Sequence, residues 1–368
     1  MSSSSAIARS WNLNVPVTSL AVNRNGDALA VALGDGSLRL LPATSHAVEA
    51  APREVKLHDG VSLSLQPDAD AQGFLSGGDD GRVFIIDPAG APTLIAEHKD
   101  QWIDHVASSA EGLRAYAIGK NLHVLDEEGK LQGAPLSHPS SLGGLQFSPN
   151  GKRLAASHYG GATLWWMNAK DSVPVKLEWK GSHLGLIWHP DGKILLSSMQ
   201  DAALHGWRFA DMKEMSMEGY AAKIHSTGFT ARGRYLATSG APQVVCWPFV
   251  GGGPWGKPPV MLGGGGEGRL VTRVAAHPKD ELVAAGYDDG MIILGPLDGR
   301  MEMLIHPPVG AVAVATAQAG AEPSRLKKGA AVVGLVWNGA GDCLFAGLEN
   351  GQLLLFTIAS VSRFAAHA

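Results

Sequence analysis

Three histidines recur at an even spacing and could bind a metal ion. His58, His98 and His138 lie 40 residues apart, and the imidazole nitrogen is a common ligand of zinc and other transition metals. Ligands of one metal ion must converge on one point, so this hypothesis depends on where the fold places the three side chains. Other candidates among the 14 histidines are His183, His189 and His225.

Motifs of the common enzyme classes are absent from the sequence. There is no Gly-x-Ser-x-Gly nucleophile motif, no His-Glu-x-x-His metal motif and no Cys-x-x-Cys pair. The glycine-rich stretches are not followed by a helical pattern that could bind a phosphate group at its amino terminus. Cys246 and Cys343 lie in apolar runs that are typical of buried thiols. The sequence therefore predicts neither an enzyme nor a bound cofactor.

A repeat of about 40 residues organises the chain. The stretch from Leu145 to Asn168 holds two apolar strands, a turn and a third strand, and the same pattern returns at Leu186–Arg208. Gly151, Gly192 and Gly233 occupy matching turns 41 residues apart. A supersecondary unit that recurs at this period indicates a repeat architecture.

Eight groups of three short apolar strands follow one another, and a further strand separates most neighbouring groups. One small antiparallel sheet cannot bury both of its faces, but sheets arranged radially cover each other. We therefore expect an all-β fold, a β-propeller of four-stranded antiparallel blades. Eight blades are favoured, and seven is the alternative, because the eighth group follows an irregular stretch.

The two ends of the chain are predicted to close the ring, which makes residues 1–368 a single domain. The strand Ile7–Leu13 precedes the first group, whereas the last group ends at Ile358 without an outer strand. If the amino-terminal strand completes the last blade, no long sheet edge remains open. Two irregular segments, 251–268 and 307–330, interrupt the period and are candidate binding loops.

The composition argues against nucleic acid and membranes as partners. The net charge is −4, and the densest basic cluster, Arg325 with Lys327 and Lys328, is too small for a polyanion site. No segment approaches about 18 uninterrupted apolar residues, and the amino-terminal residues lack the pattern of a signal peptide. The expected location is the cytoplasm, where cysteines stay reduced. The sequence does not indicate an oligomeric state.

The repeat resembles the WD-repeat β-propeller family over nearly the whole chain. In that family a Phe-Ser-Pro-Asp-Gly-Lys-like turn joins the first two strands of a blade, an Asp lies in the next turn, and a Trp-Asp pair ends the third strand. Here the first turn reads Phe147–Lys152 and Trp188–Lys193. The turn Asp is matched by Asp80, Asp201 and Asp289, and the final Trp by Trp207 and Trp247, which Arg208 and Pro248 follow.

The resemblance implies roles for the histidines and for the whole protein. The family places a His before the first strand of each blade, where it can hydrogen-bond the turn Asp of the same blade. His58, His98 and His138 match that position. Because residues one blade apart lie around a ring, this structural role competes with metal binding. The family's common activity is to hold protein partners together.

One face of such a propeller would collect the turns between second and third strands, which carry mostly acids here, with Lys120 as the only base. Asp80, Asp201 and Asp289 are expected to be bound internally, yet the face should stay acidic and favour a basic peptide or loop. Aromatic side chains near it are candidate anchors. The candidate partner-binding residues are Asp35, Asp79, Trp102, Tyr159, Tyr220, Tyr287, Asp288 and Glu349.

Two functions remain open from the sequence. The first is a non-catalytic scaffold that binds a protein or peptide partner on this face, although a fold does not by itself establish a function. The second is a metal or small-molecule site, including an enzymatic one, in the central channel. The inner strands supply mainly Gly, Leu and Ser to that channel, which favours the scaffold.

Overall fold

The computed structural model describes residues 7–167, 173–264, 268–308 and 329–358. The regular structure in these ranges is thirty β-strands and one short 3₁₀ helix, Ser45–Val48. The predicted all-β class is therefore confirmed. Within the same ranges, no helix has the length and apolar character needed to cross a membrane.

Antiparallel sheets of four consecutive strands make up most of the protein, and β1 (Ile7–Asn12) belongs to the last of them. Short turns rich in Gly, Asn and Asp separate apolar runs, which is the pattern that favours hairpins. The first sheet holds β2 (Val17–Val22), β3 (Ala28–Leu33), β4 (Ser37–Pro42) and β5 (Arg53–Lys56). The second holds β6 (Ser62–Pro67), β7 (Phe74–Gly78), β8 (Arg82–Ile86) and β9 (Pro92–Glu97). The third holds β10 (His105–Ser108), β11 (Arg114–Ile118), β12 (Asn121–Leu125) and β13 (Leu136–Ser137).

The second half of the chain continues the pattern after one larger sheet of six strands. That sheet holds β14 (Gly144–Phe147), β15 (Arg153–Trp166), β16 (Val175–Trp188), β17 (Ile194–Met199), β18 (Leu204–Arg208) and β19 (Lys213–Met217). The next two hold β20 (Thr227–Phe229), β21 (Tyr235–Thr238), β22 (Val244–Pro248) and β23 (Val260–Leu262), then β24 (Val271–Ala276), β25 (Leu282–Tyr287), β26 (Ile292–Pro296) and β27 (Met303–His306). The last holds β28 (Val332–Trp337), β29 (Cys343–Leu348) and β30 (Gln352–Thr357).

The fold is a β-propeller with four-stranded antiparallel blades, as predicted, but the favoured count of eight separate blades is not found. The described residues form seven hydrogen-bonded sheets, the alternative number. The reason lies in β16, which is 14 residues long and runs without a break from the outer strand of one predicted blade into the first strand of the next. β15, also 14 residues long, covers the second and third strands of the first of these two blades. Two predicted blades are thereby joined into one sheet.

Burial changes steadily from the middle of each sheet to its outermost strand. All residues of β7, β25 and β29 are buried, whereas β5 and β9 are mainly exposed. A strand is buried on both faces only when other sheets cover it from both sides. The second and third strands of each sheet are therefore packed between the neighbouring sheets.

Hydrophobic clusters fill the spaces between successive sheets. Leu38 and Leu40 of the first sheet pack with Phe74 and Ile86 of the second, and the pattern recurs between the later sheets. One cluster, with Ala155, Leu177 and Leu195, lies inside the six-stranded sheet. Another joins the last sheet to the first.

The amino-terminal strand pairs with the last strand of the chain. β1 runs antiparallel to β30, with Ser10 opposite Leu354 and Asn12 opposite Gln352. Trp11 and Leu13 are buried against Phe345 and Leu353 of the same sheet. The first predicted strand thus completes the four-stranded sheet that holds the carboxy-terminal strands.

Candidate functional site

Two sets of loops meet on one side of the protein, which we call the upper face. The first set is the turns between second and third strands, and the second is the loops from an outer strand into the next sheet. The N–H of Ile103 donates to the carbonyl of Gly78 (3.1 Å), and the N–H of Tyr159 donates to Ser140 Oγ (2.9 Å). These bonds place the candidate residues of different repeats on a common surface.

A glycine is required where these two sets of loops touch. Gly36 has a φ of +78°, and a Cβ there would lie 2.0 Å from the carbonyl oxygen of Gly60. Gly81 has the same φ, and a Cβ there would lie 1.9 Å from the carbonyl oxygen of His98. Only glycine combines this left-handed conformation with such a close backbone approach.

Three of the predicted acidic residues are bound within the protein. Asp79 accepts a hydrogen bond from the N–H of Val61 (2.8 Å). Asp288 accepts one from Leu270 (3.1 Å) and Glu349 one from Ala331 (3.0 Å). The donor lies 18 residues before the acid in every case. These carboxylates hold the loop that enters their own sheet, so the upper face offers less free acid than the sequence predicted.

The other acids of these turns differ in their surroundings. Asp80 and Asp289 are bound internally, by His58 (2.9 Å) and by Arg269 (2.6 Å), which confirms the prediction for both. Asp201 is exposed. Asp35 is also exposed. Partial burial opposes ionisation of Asp35, but hydrogen bonds from the hydroxyl and N–H of Ser37 keep its pKa below the ordinary value.

Two of the predicted aromatic anchors are largely exposed on the upper face. Trp102 and Tyr159 each expose 65% of their surface. Large aromatic side chains with this exposure bury substantial area when a partner covers them. Their exposure is what a binding role requires.

The other two aromatic predictions need correction. Tyr287 is fully buried (0%) in the cluster between β22 and β25, so a partner on the surface cannot contact it. Tyr220 is half-buried, and its hydroxyl donates to Thr238 Oγ1 (2.8 Å) and accepts from Trp247 Nε1 (2.7 Å). Both tyrosines pack inside the propeller because their rings fill the space between sheets.

Sequence reasoning missed two acids that flank the exposed tryptophan. Asp100 and Asp104 are exposed on either side of Trp102 in the loop before β10. Asp100 has a φ of +58°, which places it in the left-handed region where the short polar side chain of Asp is tolerated. The available signal was their position next to a tryptophan in a loop.

The first of the evenly spaced histidines holds a hydrogen-bond network within one sheet. His58 Nδ1 donates to Asp80 Oδ1 (2.9 Å), because a carboxylate can only accept. Burial lowers the pKa of His58 despite the nearby Asp80, so the ring is neutral and Nε2 accepts from Ser76 Oγ (3.0 Å). The contact between His58 and the turn Asp of its own blade is confirmed.

The same position is used in later sheets with different partners. His98 Nε2 bonds to the hydroxyl of Tyr116 (2.9 Å), and His138 Nε2 accepts from Trp165 Nε1 (3.1 Å). The first partner lies 18 residues after the histidine and the tryptophan 27 residues after it. Tyr220 makes its bonds to Thr238 and Trp247 at the same two offsets. Tyr220 therefore takes the place of the histidine in its sheet.

Two of the further candidate metal ligands, His183 and His189, bond to other groups of the protein, and the third, His225, is exposed. His183 bonds to Ser197 Oγ (2.6 Å) and the carbonyl of Trp179 (3.0 Å). His189 bonds to Asp191 (2.7 Å) and the carbonyl of Gly233 (2.9 Å). Among the residues that the structure describes, no group of three or more His, Cys, Asp or Glu side chains is placed to hold a metal ion.

The two cysteines are fully buried and free. Burial raises the pKa of both thiols to about 12. The thiolate is the reactive form of cysteine, so neither side chain is suited to nucleophilic chemistry at neutral pH.

His205 is a buried histidine with no hydrogen-bonded ring nitrogen among the described residues. Its ring stacks on Trp179, with ring centroids 3.9 Å apart. Burial, and then the nearby His183, lower the pKa of His205 to about 4. The folded protein therefore holds this ring in its neutral form.

We expect the protein to lose stability in mild acid, partly because of His205. The unfolded state takes up the proton near pH 6.5 and the folded state only near pH 4, so the free energy of unfolding falls as the pH drops between these values. The His205→Phe variant keeps the stacked ring and should lose about 2 kcal/mol less than the wild type between pH 7.5 and 5. Urea unfolding at both pH values measures this; equal losses would contradict it.

The inner strands surround a central cavity of about 510 Å³. The residues that line it come from the first sheet, the second sheet, the six-stranded sheet and the last three sheets. Leu20, Leu186 and Val336 supply apolar surface. A second cavity of about 320 Å³ lies nearer the opposite, lower face, where Pro67, Ala107 and Phe147 line it. The two cavities share the lining residues Gln66 and Leu186 and therefore adjoin each other, and we call them together the central channel.

The structure describes the two irregular segments to different extents, and the predicted binding role of each stays a prediction. Residues 309–328 of the segment 307–330 lie outside the described residues, so its predicted binding role stays a prediction. The segment 251–268 contains β23 and packs on an earlier sheet, because Trp255 Nε1 donates to the carbonyl of Glu214 (3.1 Å). The guanidinium of Arg208 lies 4.5 Å from the ring centroid of Trp255 and the ammonium of Lys213 lies 4.3 Å from it.

No protein-family model matches this chain, and no curated protein matches it.

Proposed function

We propose that this protein is a non-catalytic scaffold that binds a protein or peptide partner on its upper face. The observation that carries this proposal is the loop around Trp102, where a tryptophan that is 65% exposed lies between two exposed acids, Asp100 and Asp104. A tryptophan that exposes this much of its surface contributes only part of its side chain to packing within the protein. Interface hot spots are enriched in tryptophan and tyrosine.

Tyr159 extends this surface onto the neighbouring sheet. Its N–H bonds to Ser140, in the loop that follows the third sheet, and its ring is as exposed as that of Trp102. The third sheet, which begins after Trp102, lies between the two aromatic side chains. A partner that covers both would therefore span about one blade.

The acids around the tryptophan favour a basic partner. Asp100 and Asp104 have exposed side chains, and Asp35 is an exposed acid on the same face. Complementary charge raises the association rate and fixes orientation more than it raises affinity. We therefore propose a segment that carries Lys or Arg beside an apolar side chain that packs on Trp102.

The experiment is a capture of partners from native cell extract, followed by a binding measurement with each purified candidate. The double variant Trp102→Ala, Tyr159→Ala is expected to weaken binding by about 30-fold or more, because truncating an interface hot spot costs about 2 kcal/mol or more. Raising the salt concentration should slow association.

The control is Met301→Ala. Met301 is 91% exposed but lies between the third and outer strands of its sheet, on the lower face. It should leave binding unchanged. Equal binding by the wild type and the Trp102→Ala, Tyr159→Ala variant would reject the proposed surface.

We also propose that the ring has eight positions, two of which the six-stranded sheet fills. Supporting this, the N–H of Met167 donates to the carbonyl of Lys152 (3.0 Å), so the two ends of β15 lie side by side as in a hairpin. Phe209 and Lys193 make the equivalent bond in the next repeat (2.9 Å). Images of the particle along the ring axis should resolve eight outer lobes, and seven would reject this proposal.

We also propose that the ring is closed between its first and last sheets and that the protein is a degenerate member of the WD-repeat family. Packing between Leu29 and Phe345 joins the first and last sheets, which supports a closed ring. The bonds from His58 to Asp80 and Ser76 support a degenerate WD-repeat propeller. Two free buried cysteines are consistent with the cytoplasm as its location.

A further inference from the structure

The charges that line the central cavity differ from those on the rim of the upper face. Arg273 of β24 and His225, in the loop before β20, line the cavity of about 510 Å³. Among the described residues that line it, none is an Asp or a Glu. The remaining lining groups are apolar side chains, glycines, hydroxyls and one amide. The interior of the channel therefore carries positive charge without a compensating acid.

Arg273 is only partly used by its own protein contacts. Its Nε donates to the carbonyl of Val333 (2.7 Å) and its Nη1 to the carbonyl of Thr272 (2.9 Å). Within the described part of the chain, Nη2 makes no hydrogen bond, and it is not among the enclosed polar atoms. Two backbone carbonyls fix the guanidinium plane, and the second terminal nitrogen stays available to a ligand.

The surroundings of Arg273 make its charge costly without an anion. Burial lowers the pKa of the Arg273 guanidinium, and no carboxylate acts against this effect. A charge removed from water without a partner is unfavourable. An anion in the cavity would relieve this cost and could form charge-assisted hydrogen bonds with the planar guanidinium.

Further polar groups lie at and inside the mouth of the channel. Lys223 and His225 are exposed and lie in the same loop before β20. Burial lowers the pKa of His225 most, and the charges of Arg273 and Lys223 lower it further. Inside, Thr18 Oγ1 is buried without a partner in the described residues. The mouth attracts negative charge, and the interior offers a hydroxyl to a bound oxygen.

We propose that the upper end of the channel binds the phosphate or carboxylate group of a small molecule, with Arg273 as the main anion ligand. Lys223 and His225 would contact the same group from the mouth, and Thr18 would contact it from inside. A cavity of about 510 Å³ lies within the range of about 300–1,000 Å³ that small-molecule sites occupy. This site is separate from the aromatic surface around Trp102 and goes beyond the scaffold function.

The other arginine of the channel provides a matched control. Arg24 lines the cavity of about 320 Å³, but its Nε donates to the carbonyl of Asp68 (2.7 Å) and its Nη2 to Ser108 (2.7 Å). Arg24 also has two bonded donor nitrogens, but it differs from Arg273 because the carboxylate of Asp68 acts against the effect of burial on its pKa. Removing this charge should not affect an anion bound at Arg273.

The test is isothermal titration calorimetry with two probes, inorganic phosphate and succinate, at constant ionic strength. One site per chain is expected for at least one probe, and the probe that binds identifies the anion class. Arg273→Gln should weaken that binding by at least tenfold, and Arg24→Gln by less than twofold. Absence of binding by both probes, or equal binding by the wild type and Arg273→Gln, would overturn the proposal. An equal loss in Arg24→Gln would also overturn it, since binding would then follow net charge alone.

A second variant keeps the test valid if Arg273→Gln is unstable. Lys223 and His225 are exposed, so Lys223→Ala, His225→Ala should fold normally. It should weaken binding of the same probe by about threefold to tenfold, as expected for the loss of one exposed charge and one imidazole donor near a bound anion. Unchanged affinity in this variant would remove the mouth from the proposed site and contradict the proposal.

Discussion

Replacing Asp68 by alanine should lower the free energy of unfolding by about 3–5 kcal/mol. Asp68 is 0% exposed, and both of its oxygens accept hydrogen bonds from Arg114, at 2.7 Å from Nε and 2.6 Å from Nη2. The pair joins the second sheet to the third. Truncating one partner leaves a guanidinium buried without a counter-charge, which costs far more than the loss of an exposed ion pair.

Urea unfolding of Asp68→Ala beside two further variants measures this effect. Glu128→Ala removes an exposed ion pair with Lys130 and should change stability by less than about 1 kcal/mol. Asp68→Leu with Arg114→Leu removes both charges, so its loss should be smaller than that of Asp68→Ala alone. If Asp68→Ala and Glu128→Ala lose the same amount, the buried pair does not stabilise the contact between the two sheets.

Deleting residues 1–13 should reduce the free energy of unfolding by more than about 5 kcal/mol, because two buried side chains and one strand are lost together. Trp11 and Leu13 are 8% exposed in the cluster between the last sheet and the first. Trp11 Nε1 also donates to the carbonyl of Ala50 (3.3 Å), in the loop between β4 and β5 of the first sheet. The deletion would expose the edge of β30 and open the contact between the two ends of the chain.

Thermal unfolding and dynamic light scattering of the truncated protein test this prediction. Trp11→Ala should account for about 3–5 kcal/mol of the loss, whereas Ser10→Ala, at an exposed position of the same strand, should change stability by less than about 0.5 kcal/mol. The exposed edge should also promote association between molecules. A truncated protein as stable as the wild type would show that β1 contributes little to the last sheet.

The proposed partner surface and the proposed anion site can be tested separately on one molecule. Trp102 and Tyr159 are exposed side chains on the rim, and Arg273 lines the channel. A Trp102→Ala, Tyr159→Ala variant should therefore keep its response to phosphate or succinate. Arg273→Gln should keep its protein partner unless the partner supplies the anion.

The local pattern determined most of the secondary structure. Asn-Gly and Asp-Gly turns at 25–26 and 35–36 end apolar runs, and the structure has β3 between them. These turns act over two or three residues, so short-range chemistry is sufficient to place them. The same holds for the contact between His58 and Asp80, because the repeat brings them together within a single sheet.

The positions of polar residues in the sequence did not show which of them form hydrogen bonds within the protein. Asp79, Asp288 and Glu349 resemble free surface acids in the sequence, but each accepts a backbone N–H from its own sheet. Tyr287 follows the same pattern as an exposed turn residue and is fully buried. The alternation of a strand shows which residues share a face, but burial depends on whether another sheet covers that face.

The sequence by itself determined an all-β repeat with antiparallel four-stranded units, because turn residues and apolar periodicity act locally and repeat along the chain. It also indicated the pairing of the first strand with the last, because the last group lacks an outer strand and the first strand has no group of its own. Only the tertiary structure decided which repeats share a sheet, that Asp68 pairs with Arg114 across 46 residues, and that Arg273 faces a channel without a neighbouring acid. These features depend on the distance between side chains of different repeats, which is set by the packing of whole sheets around the common centre.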